Sequence, residues 1–132
     1  MANREKMNQT FRERIVPALR DRGFKGSMPH FRRVIDDTMH LMTIQFRSAG
    51  GSFVAEIAKC SAGEHKTSWG KVIPESKMNV GYLPPRSRIR LGAPDGFGDH
   101  WFDFAGRPDG CELCANELLA FLESDAEPFW CG

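Results

Sequence analysis

An amphipathic pattern covers about residues 3–22 at the start of the chain. Apolar residues recur there at three- and four-residue spacing, the period of a helix with one buried side: Met7, Phe11, Ile15, Ala18 and Leu19. Pro17 lies inside the pattern and lacks the amide that would bond the carbonyl of Glu13, so we expect a kink at Pro17 or a break just before it. Gly23 follows the last periodic residue and suits the left-handed end of a helix.

Three segments rich in branched and aromatic residues come next, at residues 29–35, 39–47 and 52–60. The sequences between them, DDT and SAGG, are typical of turns, so we expect antiparallel hairpins. Counting outward from each turn pairs side chains on the core face of the sheet: Phe46 with Phe53, Ile44 with Ala55 and Met42 with Ile57.

The same count places a second set of side chains on the opposite face of the sheet: Phe31, Arg33, Leu41, Thr43, Gln45, Val54 and Glu56. This face is mixed, with polar groups near its centre. Such a surface suits a protein partner or self-association better than it suits a core.

Residues 86–91 form a further predicted strand, on which Arg86, Arg88 and Arg90 share one face. Together with Arg33 they would make a cationic floor that grips a carboxylate or phosphate. The alternative, which we favour, is a solvated edge strand that its charges protect from aggregation.

Residues 61–85 have no clear period. A structureless loop of this length is uncommon inside a compact domain, so we expect local structure in which Trp69, Val72 and Ile73 pin the segment to the core. Residues 95–99, DGFGD, are expected to form a surface turn, and residues 101–104 a short last strand.

Asp109 and Glu112 stand at capping-box spacing, so we expect the final helix to begin there and Pro128 to end it. Its apolar stripe is clear: Cys111, Cys114, Ala115, Leu118, Phe121 and Leu122.

The chain has 132 residues, a usual size for a single domain, and can bury a core without a disulfide or a metal ion. No apolar run approaches the ~18 residues that a membrane helix needs, and the first residues lack the apolar segment of a signal peptide. We therefore expect one cytoplasmic domain, residues 1–132, that has no membrane partner and keeps its cysteines reduced.

The net charge of +1 is unevenly distributed along the chain. Residues 1–33 carry nine basic and three acidic side chains, whereas residues 95–132 carry one basic and nine acidic ones. A basic segment of this kind can bind nucleic acid, but the acidic counterpart favours two terminal helices that pack side by side. Nucleic acid is therefore not the partner we expect.

Cys111 and Cys114 form a C-x-x-C pair. A redox pair would follow the strand of a thioredoxin-like unit, which is missing here, and a zinc site would need further ligands such as Cys131 with His65 or His100. Because both cysteines lie on the apolar stripe, we favour core packing and predict no metal and no cofactor. No nucleophile elbow or phosphate loop is present, and no catalytic residue is predicted.

Four short motifs follow one another along the chain: Leu-x-x-x-Gly-Phe at residues 19–24, Gln-x-x-Ser at residues 45–48, Arg88-Ile89 and Trp101. Their order resembles the bacterial domain-of-unknown-function family numbered 4304, over most of residues 7–125. The resemblance implies no activity or cofactor, and the C-x-x-C pair is not part of that family's pattern. Small bacterial domains of this general sort sometimes neutralise toxins, which suggests an immunity-like role by analogy.

These patterns predict an α+β domain in which the N-terminal and C-terminal helices pack on one face of a four- to five-stranded antiparallel sheet. The leading hypothesis is a non-enzymatic protein-interaction module that uses the open face of this sheet. The candidate binding residues are Arg33, Thr43, Gln45, Glu56, Arg88, Arg90 and Trp101. The alternative is a small enzyme or ligand-binding protein with a pocket between the sheet and residues 61–85, which requires titratable groups with shifted pKa values.

Overall fold

The computed structural model describes residues 3–93, 98 and 100–132, with a helix at each end and antiparallel strands between. The strands in these residues are β1 (Lys25–Ser27), β2 (His30–Ile35), β3 (Thr38–Phe46), β4 (Ser52–Ser61), β5 (His65–Lys66), β6 (Val72–Ile73), β7 (Ile89–Arg90) and β8 (Phe102–Asp103). The main sheet has the order β1-β2-β3-β4-β7, with β8 also beside β4, while β5 and β6 pair separately. The predicted α+β class is confirmed.

Each long helix contains a π-helical turn directly before a proline. The N-terminal helix consists of Arg4–Thr10, a π segment Phe11–Ile15 and Val16–Asp21. The C-terminal helix consists of Gly110–Phe121, a π segment Leu122–Ala126 and Glu127–Cys131.

The π turns explain how both prolines are tolerated. In each case the residue before the proline donates to the carbonyl five positions back: Val16 N to Phe11 O, and Glu127 N to Leu122 O. The widened turn moves the preceding carbonyls away from the proline ring, so the chain stays helical. The irregularity expected at Pro17 is thus a π turn just before it. The prediction that Pro128 ends the last helix was wrong.

The register of β3 on β4 is the predicted one, with Phe46 opposite Phe53, Ile44 opposite Ala55 and Met42 opposite Ile57. Side chains of this face join the apolar sides of both helices in one core cluster. From the helices it includes Met7, Phe11, Ile15, Leu19, Cys111, Cys114, Ala115, Leu118, Leu122, Ala126 and Trp130. The prediction that both helices cover the same face is confirmed.

The register of β2 differs from the prediction by one residue. Ile35 pairs with Thr38, so the turn contains two residues instead of three, and Asp36 adopts the left-handed φ of 55° that such a tight turn requires. A shift of one residue exchanges the two faces of a strand. Phe31 and Arg33 therefore lie on the helix-covered face, and their predicted place on the open face was wrong.

Residues 61–88 cover much of the second face. Their apolar side chains pack on that face of β3 and β4 in a second core cluster, which consists of Met39, Leu41, Ala58, Ile73, Met78, Val80 and Leu83. The expected local structure is the β5–β6 hairpin and three 3-10 helices, at Glu75–Lys77, Val80–Tyr82 and Pro85–Ser87. The predicted strand at 86–91 is correspondingly reduced to Ile89–Arg90.

Residues 95–97 and 99 of the predicted surface turn lie outside the described residues. Within the described part of the chain, neither helix is long and apolar enough to cross a bilayer.

Candidate functional site

The seven predicted binding residues do not form one surface. Thr43 and Glu56 are 9% and 8% exposed, respectively, on the second face of the sheet. The hydroxyl of Thr43 bonds Nδ1 of His30 at 2.9 Å, and Glu56 Oε2 lies 3.8 Å from Arg90 Nε. These polar groups are bonded within the fold and do not present a free binding face.

Arg88 holds the chain around it in place. Its Nε and Nη2 donate to the carbonyl of Leu83 at 3.0 and 2.7 Å, and Nη2 also donates to that of Gly81 at 3.2 Å. Gln45 and Trp101 are exposed, the latter to 41%. The structure therefore does not bring the predicted residues together as a cationic floor.

Arg33 is the centre of a buried charged network instead. Its side chain is 6% exposed and meets Glu127 in a two-pronged ion pair, with Nη2 to Oε1 at 2.6 Å and Nη1 to Oε2 at 3.0 Å. The same Nη1 donates to the carbonyl of Arg22 at 3.1 Å. Because the planar guanidinium matches a carboxylate in this geometry, the pair joins β2 firmly to the C-terminal helix.

His40 completes the network on the neighbouring strand. Its Nδ1 accepts from Nε and Nη2 of Arg33 at 3.0 and 2.9 Å, and its ring lies parallel to that of Trp130. A guanidinium can only donate, so Nδ1 carries the lone pair. Burial first, and then the charge of Arg33, lower the pKa of His40, which keeps the imidazole neutral.

Glu127 also accepts from Arg22, at 2.7 Å, and Arg22 in turn reaches Glu123 at 2.7 Å. Hydrogen bonds from Arg33, and then from Arg22, outweigh burial and lower the pKa of Glu127 to about 2. The network thus links the end of the N-terminal helix, the sheet and the C-terminal helix. Its charges are matched, so we assign it a structural role.

A cleft of about 440 Å³ borders this network, lined in part by His40, Lys59, Cys60 and Trp130. Lys59 Nζ donates to the carbonyl of Phe129 at 2.8 Å, and burial raises the pKa of Cys60. A cysteine poised to act as a nucleophile has a lowered pKa instead. Burial therefore does not activate Cys60 as a nucleophile in this cleft.

Two smaller clefts lie where the alternative hypothesis predicts a pocket, between β1–β2 and residues 75–79. Their volumes are about 280 and 200 Å³, below the usual ~300–1,000 Å³ of ligand sites. His30 lines one of them and its pKa is lowered by burial, but Nδ1 already bonds Thr43.

The C-x-x-C cysteines lie in the core. Cys111 and Cys114 are 1% and 0% exposed, and burial raises the pKa of both thiols. Arg107 Nη2 approaches Cys114 Sγ at 3.4 Å. Among the described residues, no group of three or more histidine, cysteine or acidic side chains is arranged to hold a metal ion. Both cysteines act as apolar packing groups on the helix stripe.

The order of thiol reactivity follows from this burial. We expect a chromogenic disulfide reagent to modify Cys131 rapidly in the native protein, since it is exposed, and half-buried Cys60 more slowly. Cys111 and Cys114 should react only on unfolding. Spectrophotometric thiol counting on the wild type and the Cys131→Ser variant checks this order. Equal rates for Cys111 and Cys131 would contradict the packing role.

The β5–β6 hairpin presents a tryptophan that the sequence pattern assigned to the core. Trp69 is 67% exposed at the tip of the hairpin, and Val72 on β6 is 50% exposed. Ile73 alone of the three residues expected to pin this segment is buried, at 2% exposed. A local signal for the exposed tip does exist, because Trp69 is followed by Gly70 in a turn with a φ of 90°.

Fold and sites together define a small α+β domain with a charged network in its interior and an exposed aromatic hairpin. The chain belongs to the family described as "Domain of unknown function (DUF4304)", whose model matches residues 15–131. No curated protein and no solved structure matches the chain. The resemblance predicted from the motifs is therefore confirmed as family membership.

One motif has a clear structural role. Phe24 N donates to the carbonyl of Leu19 at 2.9 Å, and Gly23 between them has a φ of 92°. This left-handed glycine ends the N-terminal helix and folds Phe24 back into the core, where it packs against Trp130.

Proposed function

We propose that the chain is a non-enzymatic protein-binding module, and that its Trp69 hairpin, residues 65–73, inserts into an apolar pocket of a partner protein. The observation that carries the proposal is the 67% exposure of Trp69 at the tip of a structured turn. Tryptophan is strongly enriched among the residues that dominate binding energy, because its large ring excludes much water when it is covered.

The turn that carries Trp69 is held by its own hydrogen bonds. Thr67 N donates to the carbonyl of Lys71 at 2.8 Å, Lys71 N donates to the hydroxyl of Thr67 at 3.0 Å, and Gly70 N donates to the carbonyl of Thr67 at 3.0 Å. Thr67 is only 5% exposed, so the base of the turn is anchored. A preorganised turn loses less conformational entropy when a partner binds it.

Charge on the hairpin indicates the chemistry of the partner. Lys66 and Lys71 flank the tryptophan and are exposed, and residues 65–73 contain no acidic side chain. Complementary charge around an interface increases both specificity and the association rate. We therefore expect an apolar pocket with an acidic rim on the partner.

An immunity-like role is one form of this proposal, in which the partner is a toxin or an enzyme that the hairpin holds inactive. The support is that Trp69 is the most exposed large apolar side chain among the described residues and lies on a turn held by its own hydrogen bonds. Unpaired buried thiols at Cys111 and Cys114 favour a reducing compartment, so we place the module in the cytoplasm.

Replacing Trp69 with alanine is expected to weaken partner binding at least about 30-fold, or about 2 kcal/mol, because a covered tryptophan is a typical hot spot. Tagged wild type, Trp69→Ala and Leu113→Ala are used as baits in lysate of the source cells, with quantitative mass spectrometry. Leu113 is a matched control, since it is 40% exposed on the C-terminal helix. The captured protein is then purified and its Kd for each variant is measured by calorimetry.

The expected result is one protein that wild type and Leu113→Ala retain in stoichiometric amounts and Trp69→Ala loses. If no retained protein discriminates between the two variants, the hairpin is not the binding element. If sedimentation velocity shows that the wild type self-associates through Trp69, the partner is a second copy of the chain and not a different protein.

A further inference from the structure

A groove of about 520 Å³ runs along the N-terminal helix, on the helix-covered side of the sheet. One wall is a stripe of helix residues at four-residue spacing: Arg4, Asn8, Arg12, Val16 and Arg20. The other wall is the β1–β2 turn, residues 27–29, with Phe46 at the end of β3. The groove is separate from the Trp69 hairpin, which belongs to the segment that covers the opposite face.

The groove is cationic without internal compensation. Its three arginines face no acidic lining residue, and among the described residues none of the three forms an ion pair. The guanidinium of Arg4 lies 4.5 Å above the ring of Phe46, and Arg20 donates to the carbonyls of Phe24 and Gly26. Arg12 is exposed and has no hydrogen-bond partner within the described chain. Uncompensated cations in a row attract an anionic ligand.

The floor of the groove is apolar. Val16 and Met28 are half-buried and pack against the core, so their remaining exposed surface lines the groove. A ligand that fills it would gain by covering this surface at about 25 cal/mol per Å². The ligand must therefore combine negative charge with apolar groups.

We propose that this groove binds an extended acidic peptide segment of a partner protein. Arg12 binds the central carboxylate and Arg4 and Arg20 bind flanking ones, while apolar side chains between them cover the floor. Successive arginines are eight residues apart, about 12 Å along a helix, and an extended peptide spans this distance in about four residues. Acidic residues at every fourth position therefore fit the stripe.

A peptide fits the groove better than a nucleic acid does. Single-stranded nucleic acids are held by aromatic rings on which bases stack, but the one aromatic ring here, Phe46, is covered by Arg4. Nucleic-acid interfaces are also strongly basic, whereas this chain has a net charge of +1.

The test uses a display library of random twelve-residue peptides, from which binders to the immobilised wild type are selected. The selection is repeated on the Arg12→Glu and Arg86→Glu variants. Both arginines are exposed, so both variants are expected to fold, and Arg86 lies in a 3-10 helix outside the groove. We expect enriched peptides with acidic residues about four apart and apolar residues between them. A selected peptide should bind Arg12→Glu at least tenfold more weakly by fluorescence anisotropy and Arg86→Glu within twofold of wild type.

Further measurements distinguish specific binding in the groove from general attraction between opposite charges. Exchange of the peptide's apolar residues for serine should weaken binding severalfold, and exchange of its acidic residues for lysine should abolish it. Enrichment of peptides without acidic residues, no enrichment, or equal binding to Arg12→Glu would overturn the proposal. So would a random single-stranded RNA or DNA that displaces the peptide and depends equally on Arg12, since that result would make the groove a nucleic-acid site.

Discussion

The Glu127→Ala variant is expected to lose about 3–5 kcal/mol of unfolding free energy, because it leaves the buried guanidinium of Arg33 without a carboxylate. Arg33 is 6% exposed, so little of its side chain is hydrated in the folded protein. Arg22 loses one of its two carboxylate partners in the same variant. Urea denaturation followed by circular dichroism measures the loss.

Glu127 also makes the stability of the fold depend on pH. The pKa of Glu127 is lowered from 4.5 to about 2 on folding, so its stabilisation is complete above pH 4.5 and is lost as the pH falls toward 2. At about 1.4 kcal/mol per pH unit, this loss amounts to about 3 kcal/mol. His40 acts in the same direction at higher pH: its lowered pKa means that stability begins to fall as the pH drops below 6.5.

Glu123 provides a matched control on the same helix. It also pairs with Arg22, but its side chain is 77% exposed, so Glu123→Ala should cost less than about 1 kcal/mol. Glu127→Ala should also flatten the stability curve between pH 4.5 and 2. Similar losses for the two variants, or an unchanged acid limb in Glu127→Ala, would show that the buried pair does not stabilise the fold as we infer.

Phe53→Ala is expected to cost about 3–5 kcal/mol, because it opens a cavity in the core beneath both helices. Phe53 is 0% exposed, and its ring centroid lies 4.9 Å from that of Phe102 and 5.1 Å from that of Phe11. It therefore joins β4 both to the N-terminal helix and to the short strand β8. Denaturant midpoints, with the slope held constant, give the difference in free energy.

Trp69→Ala is the aromatic control for this measurement. Since Trp69 is exposed, its removal should change stability by no more than about 0.5 kcal/mol. A larger loss of stability for Trp69→Ala than for Phe53→Ala would mean that the hairpin packs on the rest of the domain in solution. It would also remove the basis of the proposed binding role.

Local patterns were sufficient for the helices and for the central hairpin. Apolar residues recur with a period of 3.6 in a helix and of 2 in a strand, so each pattern can be recognised from neighbouring residues alone. The apolar side of such an element is then expected to face the core. The predicted pairs of β3 and β4 and the packed C-x-x-C cysteines follow from these periods.

The prediction of the binding face was wrong because of the length of a single turn. Two or three residues between β2 and β3 are equally compatible with the sequence DDT, yet the choice decides the face on which Arg33 lies. The pair of Arg33 with Glu127 joins residues 94 positions apart, and no local pattern marks such a contact. Likewise, the sequence could not tell whether Trp69 was an anchor or a protruding tip.

The sequence by itself thus determined the two long helices with their buried sides, the β3–β4 hairpin and the α+β class, because the periods that mark these elements depend on residues a few positions apart. Only the tertiary structure decided that residues 61–88 cover the second face, that Arg33 lies beneath the helices, and that the β1–β2 turn completes a groove beside three arginines. These features depend on the path of the chain between distant segments. Contacts of that range are selected by the packing of the whole domain, and no short stretch of sequence specifies them.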